Sequence, residues 1–258
     1  MKVTILGCGG ASGVPAISAG WGRCDPTNPR NRRRRPSILV EQGATCLLVD
    51  TSPDLREQLL DAEVKRLDAV LYTHDHADHL HGIDDLREVN RAMKAAIPIW
   101  GTAELLDTIN RRFSYVMEQP SPGAEFIYKP LLLPNIIDGP FEIGGIPVIP
   151  FDQDHGYCRT TGFRFGSVAY STDCVELPEE AFAVLAGIDL WVVGALVDHP
   201  PHPTHADIDK VLVWIDRVKP RRVVITHMGT GLDSETLRRR LPAHAEPAYD
   251  GMVIELPG

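Results

Sequence analysis

Residues 69–82 read AVLYTHDHADHLHG. A five-residue strand-like run passes straight into a segment holding four of the chain's ten histidines. Imidazole and carboxylate suit a packed core badly and a cation well. Side chains repeat with period two at a strand end, so His74 and His76 point the same way and can share one ion. Asp78 and His79 follow within a turn and can address a second ion beside the first. The competing reading is a polar surface loop with incidental histidines. One lone histidine would favour that loop; H-x-H-x-D-H directly behind a buried strand favours metal.

Further ligand types stand in matching positions downstream. His155 follows the strand-like IPVIPF (146–151), Asp173 ends AYSTD (169–173), and His227 ends VVITH (223–227). Residues at the carboxyl ends of sheet strands converge on one edge. The set His74, His76, His155 and Asp78, His79, His227, bridged by Asp173, has the nitrogen and oxygen donors that two divalent ions need. Asp50 ends CLLVD (46–50) at the same edge. It is a candidate to accept the second N–H of a ligand histidine; capping the following helix is the alternative.

Short runs rich in β-branched residues recur at 3–6, 37–42, 46–50, 69–73, 97–100, 161–172, 190–196, 222–227 and 252–256. Their length and composition predict strands. Helical patterns alternate with them: one begins at Ser52 with Pro53 in its first position, and one spans 103–117. The third, THADIDKVLVWIDRV (204–218), has Thr204 and Asp207 in a capping-box pattern. Strands mixed with helices predict a layered α/β architecture, with residues 1–258 as one domain. The Pro-rich segment 118–134 reads as a flap over the site or an ordinary surface connection.

Composition is that of a soluble globular protein, 43% hydrophobic and 24% charged. A net charge of −9 and a pI near 5.5 argue against a broad face for long nucleic acid. Five dispersed cysteines with no Cys-x-x-Cys fit reduced thiols. The opening apolar run is too short for a signal peptide, and no stretch approaches the roughly 20 apolar residues of a membrane span. The expectation is a soluble cytoplasmic protein.

THDHADH with later His, Asp and His at strand ends resembles the metallo-β-lactamase fold of binuclear hydrolases. LGCGGASGVP (6–15), LLVDTSP (47–53), STD (171–173) and AYDGMVIEL (248–256) are similar to its phosphodiesterase branch, which includes tRNA 3′-end processing nucleases. NRRRRPS (31–37) and THADIDKVL (204–212) resemble segments of the cyclic phosphoribosyl phosphodiesterases of the carbon–phosphorus lyase pathway. The resemblance implies a four-layer αββα sandwich and two divalent ions, zinc or manganese. It also implies a small cyclic phosphate or nucleotide-like phosphodiester, attacked by a metal-bridged hydroxide. The pathway enzymes carry a cysteine-rich structural zinc site near the N-terminus. This chain keeps only Cys24 there, with Thr230 where a further histidine would help, so no structural zinc is expected. No insertion matches the long arm of the tRNA nucleases.

Several residues acquire expected roles. His205, in the first turn of the capped helix, is the candidate proton donor that binds no metal, and Asp78 joins the catalytic group. His81 is expected beside the site without ligating. GCGGASGVP (7–15), with Ser12, either turns its N–H groups to phosphate or is a plain tight turn. Five arginines fall within 30–35. One or two of Arg33, Arg34 and Arg35 are expected to meet the substrate anion; a solvated or salt-bridged patch is the alternative. A homodimer is possible. The rival functions are a thioester or lactam hydrolase on the same fold, an RNA-processing nuclease, and a non-catalytic nucleotide-binding module.

Overall fold

The computed structural model describes residues 1–118 and 127–256. In chain order, the first half contributes β1 (Lys2–Gly7), β2 (Ser37–Gln42), β3 (Thr45–Val49), α1 (Leu55–Asp61), β4 (Ala69–Leu71), α2 (Ala77–Leu80), α3 (Leu86–Met93), β5 (Ile97–Gly101), α4 (Ala103–Arg112), α5 (Ser114–Met117) and β6 (Leu132–Ile136). The second half adds β7 (Phe141–Ile143), β8 (Ile146–Asp154), β9 (Arg159–Phe165), β10 (Val168–Ser171), α6 (Glu179–Leu185), β11 (Leu190–Gly194), α7 (Ile208–Val218), β12 (Arg222–Thr226), α8 (Ser234–Arg240), β13 (Ala245–Pro247) and β14 (Met252–Glu255). Two seven-stranded sheets result, ordered β14-β1-β2-β3-β4-β5-β6 and β13-β12-β11-β10-β9-β8-β7.

Period-two alternation decides which side chains face which layer. In the first sheet Val3, Ile5, Ile38, Val40, Leu47, Val49, Ala69 and Leu71 pack inward with Val148, Phe163, Phe165 and Val168 of the second. Their neighbours Leu39, Leu48 and Val70 turn the other way and meet Leu55, Leu86, Leu105 and Ile109 of α1, α3 and α4. The outer face of the second sheet is covered by Leu185, Val211, Ile215 and Leu237 of α6, α7 and α8. Strands buried on both faces read as continuous apolar runs. The layering is helix, sheet, sheet, helix: the αββα sandwich expected.

The strands that carry the candidate ligands share a direction within each sheet. β3 and β4 are parallel, as are β10, β11 and β12. β8 and β10 both run antiparallel to β9 and so parallel to each other. Their carboxyl ends therefore open on one edge of the sandwich.

Four boundaries differ from expectation. α1 starts at Leu55 rather than at Ser52 and Pro53. The Thr51 N–H instead donates to the His79 carbonyl, drawing the segment toward the histidine loop. The helix expected over 103–117 breaks at Phe113, between α4 and α5. The run 161–172 folds back as β9 and β10, turning at Gly166 with φ +56°. α7 starts at Ile208, capped by Asp207 through the Lys210 N–H at 2.8 Å, so His205 lies in the loop before the helix. Strands β6, β7 and β13 were not expected from sequence; two are only three residues long. Residues 119–126 of the 118–134 segment lie outside the described residues, and its end enters β6. Among the described residues no helix is long and apolar enough to cross a membrane.

Candidate metal centre

The seven candidate ligands converge as two sets sharing Asp173: His74, His76, His155 and Asp173, and Asp78, His79, Asp173 and His227. Within each set the donor atoms lie within 4.8 Å of one another. Asp173 turns one carboxylate oxygen to each set. Its Oδ2 is 3.5 Å from His74 Nε2 and 3.6 Å from His155 Nε2. Its Oδ1 is 3.3 Å from His79 Nε2 and 2.8 Å from His227 Nε2. Asp78 Oδ2 lies 3.3 Å from both His79 Nε2 and His227 Nε2.

Local backbone conformation makes this convergence. Asp50, Asp173 and His227, each just past a strand, have φ of +63°, +49° and +56°. Non-glycine residues reach this region only at a cost, of order 1–3 kcal/mol each. The left-handed turn swings the side chain out of the alternation of its strand and over the sheet edge.

The outward nitrogen of each of three histidines is held. His79 Nδ1 sits 2.6 Å from Asp50 Oδ2, and His155 Nδ1 donates to the Thr204 carbonyl at 2.6 Å. His74 Nδ1 is 2.9 Å from Thr73 Oγ1, whose single hydroxyl proton goes to Asp50 Oδ2 at 2.8 Å. Thr73 therefore accepts from His74 Nδ1–H, and the proton balance leaves His74 Nε2 with a free lone pair. Both His74 Nε2 and His79 Nε2 are buried without a hydrogen-bond partner. A buried orphan acceptor is costly; a cation among these Nε2 atoms and carboxylate oxygens removes that cost. The donor set is nitrogen and oxygen throughout, as borderline and hard divalent ions prefer.

Electrostatics point the same way. Burial works to raise Asp173, but His227 and His79 beside it hold its carboxyl well below the usual carboxylate range. Burial likewise opposes ionisation of Asp78, and the His79 and His227 contacts again prevail. Burial, reinforced by His79, keeps His74 well below the ordinary imidazole value. Against the effect of burial, the same two carboxylates raise His79 well above the ordinary imidazole value and His227 to about 9, so this end of the site favours positive charge.

His205 belongs to neither ligand set. Its Nε2 is 3.3 Å from Asp173 Oδ2. Its Nδ1 lies 2.8 Å from Thr204 Oγ1 and 3.2 Å from His202 Nδ1. Loop contacts thus hold the ring where a helix turn was expected to. His81 stacks edge-on against Phe113, 5.7 Å between centroids, outside both sets.

The arginine run does not bring a free guanidinium to this centre. Arg33 is buried and donates to Asn31 Oδ1 at 3.1 Å. Arg34 pairs with Asp61 at 2.7 Å, and Arg35 makes a fork with Asp54 at 2.7 and 2.8 Å. The run instead braces the glycine-rich loop through backbone bonds: Gly9 N–H to Arg34 O, Val14 N–H to Arg33 O, and Arg33 N–H to Val14 O. Gly10 passes so close to His227 and Leu196 that a Cβ would lie 2.6 Å from Leu196 Cδ1. With the N–H groups of Gly9, Gly10, Gly13 and Val14 given to backbone carbonyls, this loop is a tight packed turn and Ser12 sits exposed at its tip. Cys24 Sγ contacts the Thr230 carbonyl at 3.5 Å.

Two supporting residues escaped the sequence reading. Thr73 links Asp50 to His74, and Arg112 clamps the loop between His74 and His76 by binding both the carboxylate and the carbonyl of Asp75, at 2.6 and 2.7 Å. A hydroxyl directly before the first ligand was a visible signal for Thr73. Nothing local marks Arg112, which reaches the loop from α4.

Residues 45–228 match the model of the beta-lactamase superfamily domain. The crystal structure of a diphosphatase from the PhnP family superposes with a TM-score of 0.88 at 32% identity, covering 99% of this chain and 98% of that one. The octanoyltransferase of Porphyromonas gingivalis is 31% identical over 98% of this chain, which spans only 51% of that protein's length. The ribonuclease Z of a Bradyrhizobium species is 30% identical over 67% of this chain and 56% of its own.

Proposed function

The chain belongs to the beta-lactamase superfamily, as a metal-dependent hydrolase, and from that premise we propose that it hydrolyses a small phosphodiester at two divalent cations held by His74, His76, His155, Asp78, His79 and His227 and bridged by Asp173. The observation that carries this reading is His205. It is a histidine outside both ligand sets, with Nε2 3.3 Å from the shared carboxylate. When bound, the cations supply a water-derived nucleophile at neutral pH and Lewis-acid neutralisation of phosphoryl oxygens. His205 then serves what cations leave uncovered: it donates a proton or hydrogen bond toward the departing alkoxide. Thr204 and His202 hold its other nitrogen and so fix the ring plane. Asp50 orients His79 and, through Thr73, His74. The Arg33–Arg35 side chains are left out of the substrate contacts because Asn31, Asp61 and Asp54 occupy them.

A second reading, hydrolysis of an acyl thioester, is favoured by the similarity to the octanoyltransferase. The leaving groups separate the two. A thiolate leaves readily unprotonated near neutral pH, whereas an alkoxide does not. Turnover of bis(p-nitrophenyl) phosphate and of an octanoyl thioester, each before and after chelation and metal restoration, tests the proposal. Metal-dependent diester turnover exceeding thioester turnover supports it; the reverse order establishes the acyl reading.

A further inference from the structure

The β8–β9 hairpin turn does two things at once. His155 and Tyr157 stand two residues apart on it, between Asp154 and its strand partner Arg159. The turn is tied by His155 N–H to Cys158 O at 3.0 Å, by Gly156 N–H to Asp154 Oδ1 at 2.7 Å, and by Tyr157 N–H to His155 O at 3.0 Å. Gly156 has φ +81°, and a Cβ there would lie 2.8 Å from the Pro203 carbonyl. With its backbone so committed, the turn sends the His155 imidazole in to the metal centre and the Tyr157 ring out, 90% exposed. A large exposed aromatic on a fixed turn beside a candidate metal ligand has a planar face that nothing covers among the described residues.

That ring borders a cavity of about 570 Å³ that reaches the centre at His74. Among the described residues the charged ones lining it are Asp75, Glu104, Asp152 and Arg159, three acids against one base. Asp75 is paired with Arg112 at 2.6 Å, and Arg159 meets Asp152 only at 4.0 Å. An anionic rim repels a second phosphate and any continuing nucleic-acid backbone. The same carboxylates accept hydrogen bonds from neutral sugar hydroxyls. An uncharged sugar bearing a planar ring satisfies both demands.

We propose that the cavity between Tyr157 and His74 is a subsite for a nucleoside, with the base stacked on Tyr157 and the sugar hydroxyls at the Glu104–Asp152 rim. The inference rests on the phosphodiesterase reading and narrows it: one ester group of the diester is a nucleoside, and the chain ends there instead of continuing as RNA.

The test compares thymidine 5′-(p-nitrophenyl phosphate) with methyl p-nitrophenyl phosphate, which share a leaving group. It also measures binding of thymidine 5′-monophosphate and methyl phosphate to the metal-loaded protein by calorimetry. Stacking of one base is lost by alanine substitution at a cost of roughly 5- to 100-fold in affinity. Tyr157→Ala is expected to raise KM for the thymidine ester by roughly that factor more than for the methyl ester, and to weaken thymidine monophosphate binding in proportion. Tyr157→Phe, which keeps the ring face, restores both. Equal effects on the two esters and the two monophosphates would overturn the subsite. If neither diester is turned over, the phosphodiesterase reading fails, and the calorimetric comparison still decides the subsite: a preference for thymidine monophosphate lost in Tyr157→Ala upholds it, and no preference removes it.

Discussion

The Asp50 carboxylate is fully buried and makes three contacts, with the His79 imidazole, the Thr73 hydroxyl and the Thr73 N–H, the hydroxyl in turn holding His74. Removing such a partner to ligand histidines typically costs 10- to 100-fold in metal affinity. Asp50→Ala is therefore expected to weaken metal binding by roughly that factor while leaving all seven ligands in place. Competition with a chromophoric chelator measures it, and unchanged affinity would reduce Asp50 to a packing role. His205 makes the opposite prediction. His205→Ala is expected to keep its full metal content and lose roughly 10²- to 10⁴-fold in kcat on an alkyl phosphodiester. The loss should be smaller for an ester with a good leaving group, which needs less protonation. Loss of an ion would make His205 a ligand, and unaltered turnover would make it a bystander.

Asp250, in the turn before β14, stitches the sheet edge nearest the glycine-rich loop. It accepts from Cys8 N–H and Sγ and from Arg34 N–H, at 3.1, 3.3 and 2.7 Å. Burial pushes its carboxyl up to about 6, although those donors oppose the shift. The folded state thus binds this proton more tightly than the unfolded chain, whose carboxylate titrates near ~4. Asp250's contribution is complete below that value and declines as pH rises through about 6. Wild-type stability, by chemical denaturation, should fall relative to Asp250→Asn across that interval and then run parallel; parallel curves throughout would contradict it. A second element-scale prediction concerns α7. Asp207→Ala removes the acceptor of the Lys210 N–H and should cost about 1 kcal/mol. Thr204→Ala leaves this cap intact, so a larger loss there would restore the capping box read from sequence.

The layers of the molecule were readable because its strands are buried on both faces: SILVEQ, LWVVGAL and RVVITH each fell within a residue or two of the observed strand. The convergence of the seven candidate ligands was readable for a related reason. A histidine or aspartate closing an apolar run has no packing role there, and parallel strands gather their carboxyl ends. What stayed hidden depends on contacts between distant segments. Arg34 reads as cationic until Asp61, far along the chain, takes its guanidinium. Thr204 and Asp207 both look like caps until the loop before α7 is bent back by the Ala206 N–H to the Cys174 carbonyl. Edge strands such as β7 and β13 have too few residues to show a period. The central claim is that this sheet edge holds two cations through one shared aspartate. Metal-loaded protein, freed of excess ion, should contain two divalent ions per chain by elemental analysis, with two anomalous scattering peaks flanking Asp173, and should lose ions in His74→Ala and Asp173→Ala. A single ion at saturation, or two ions retained unchanged in both variants, would contradict it.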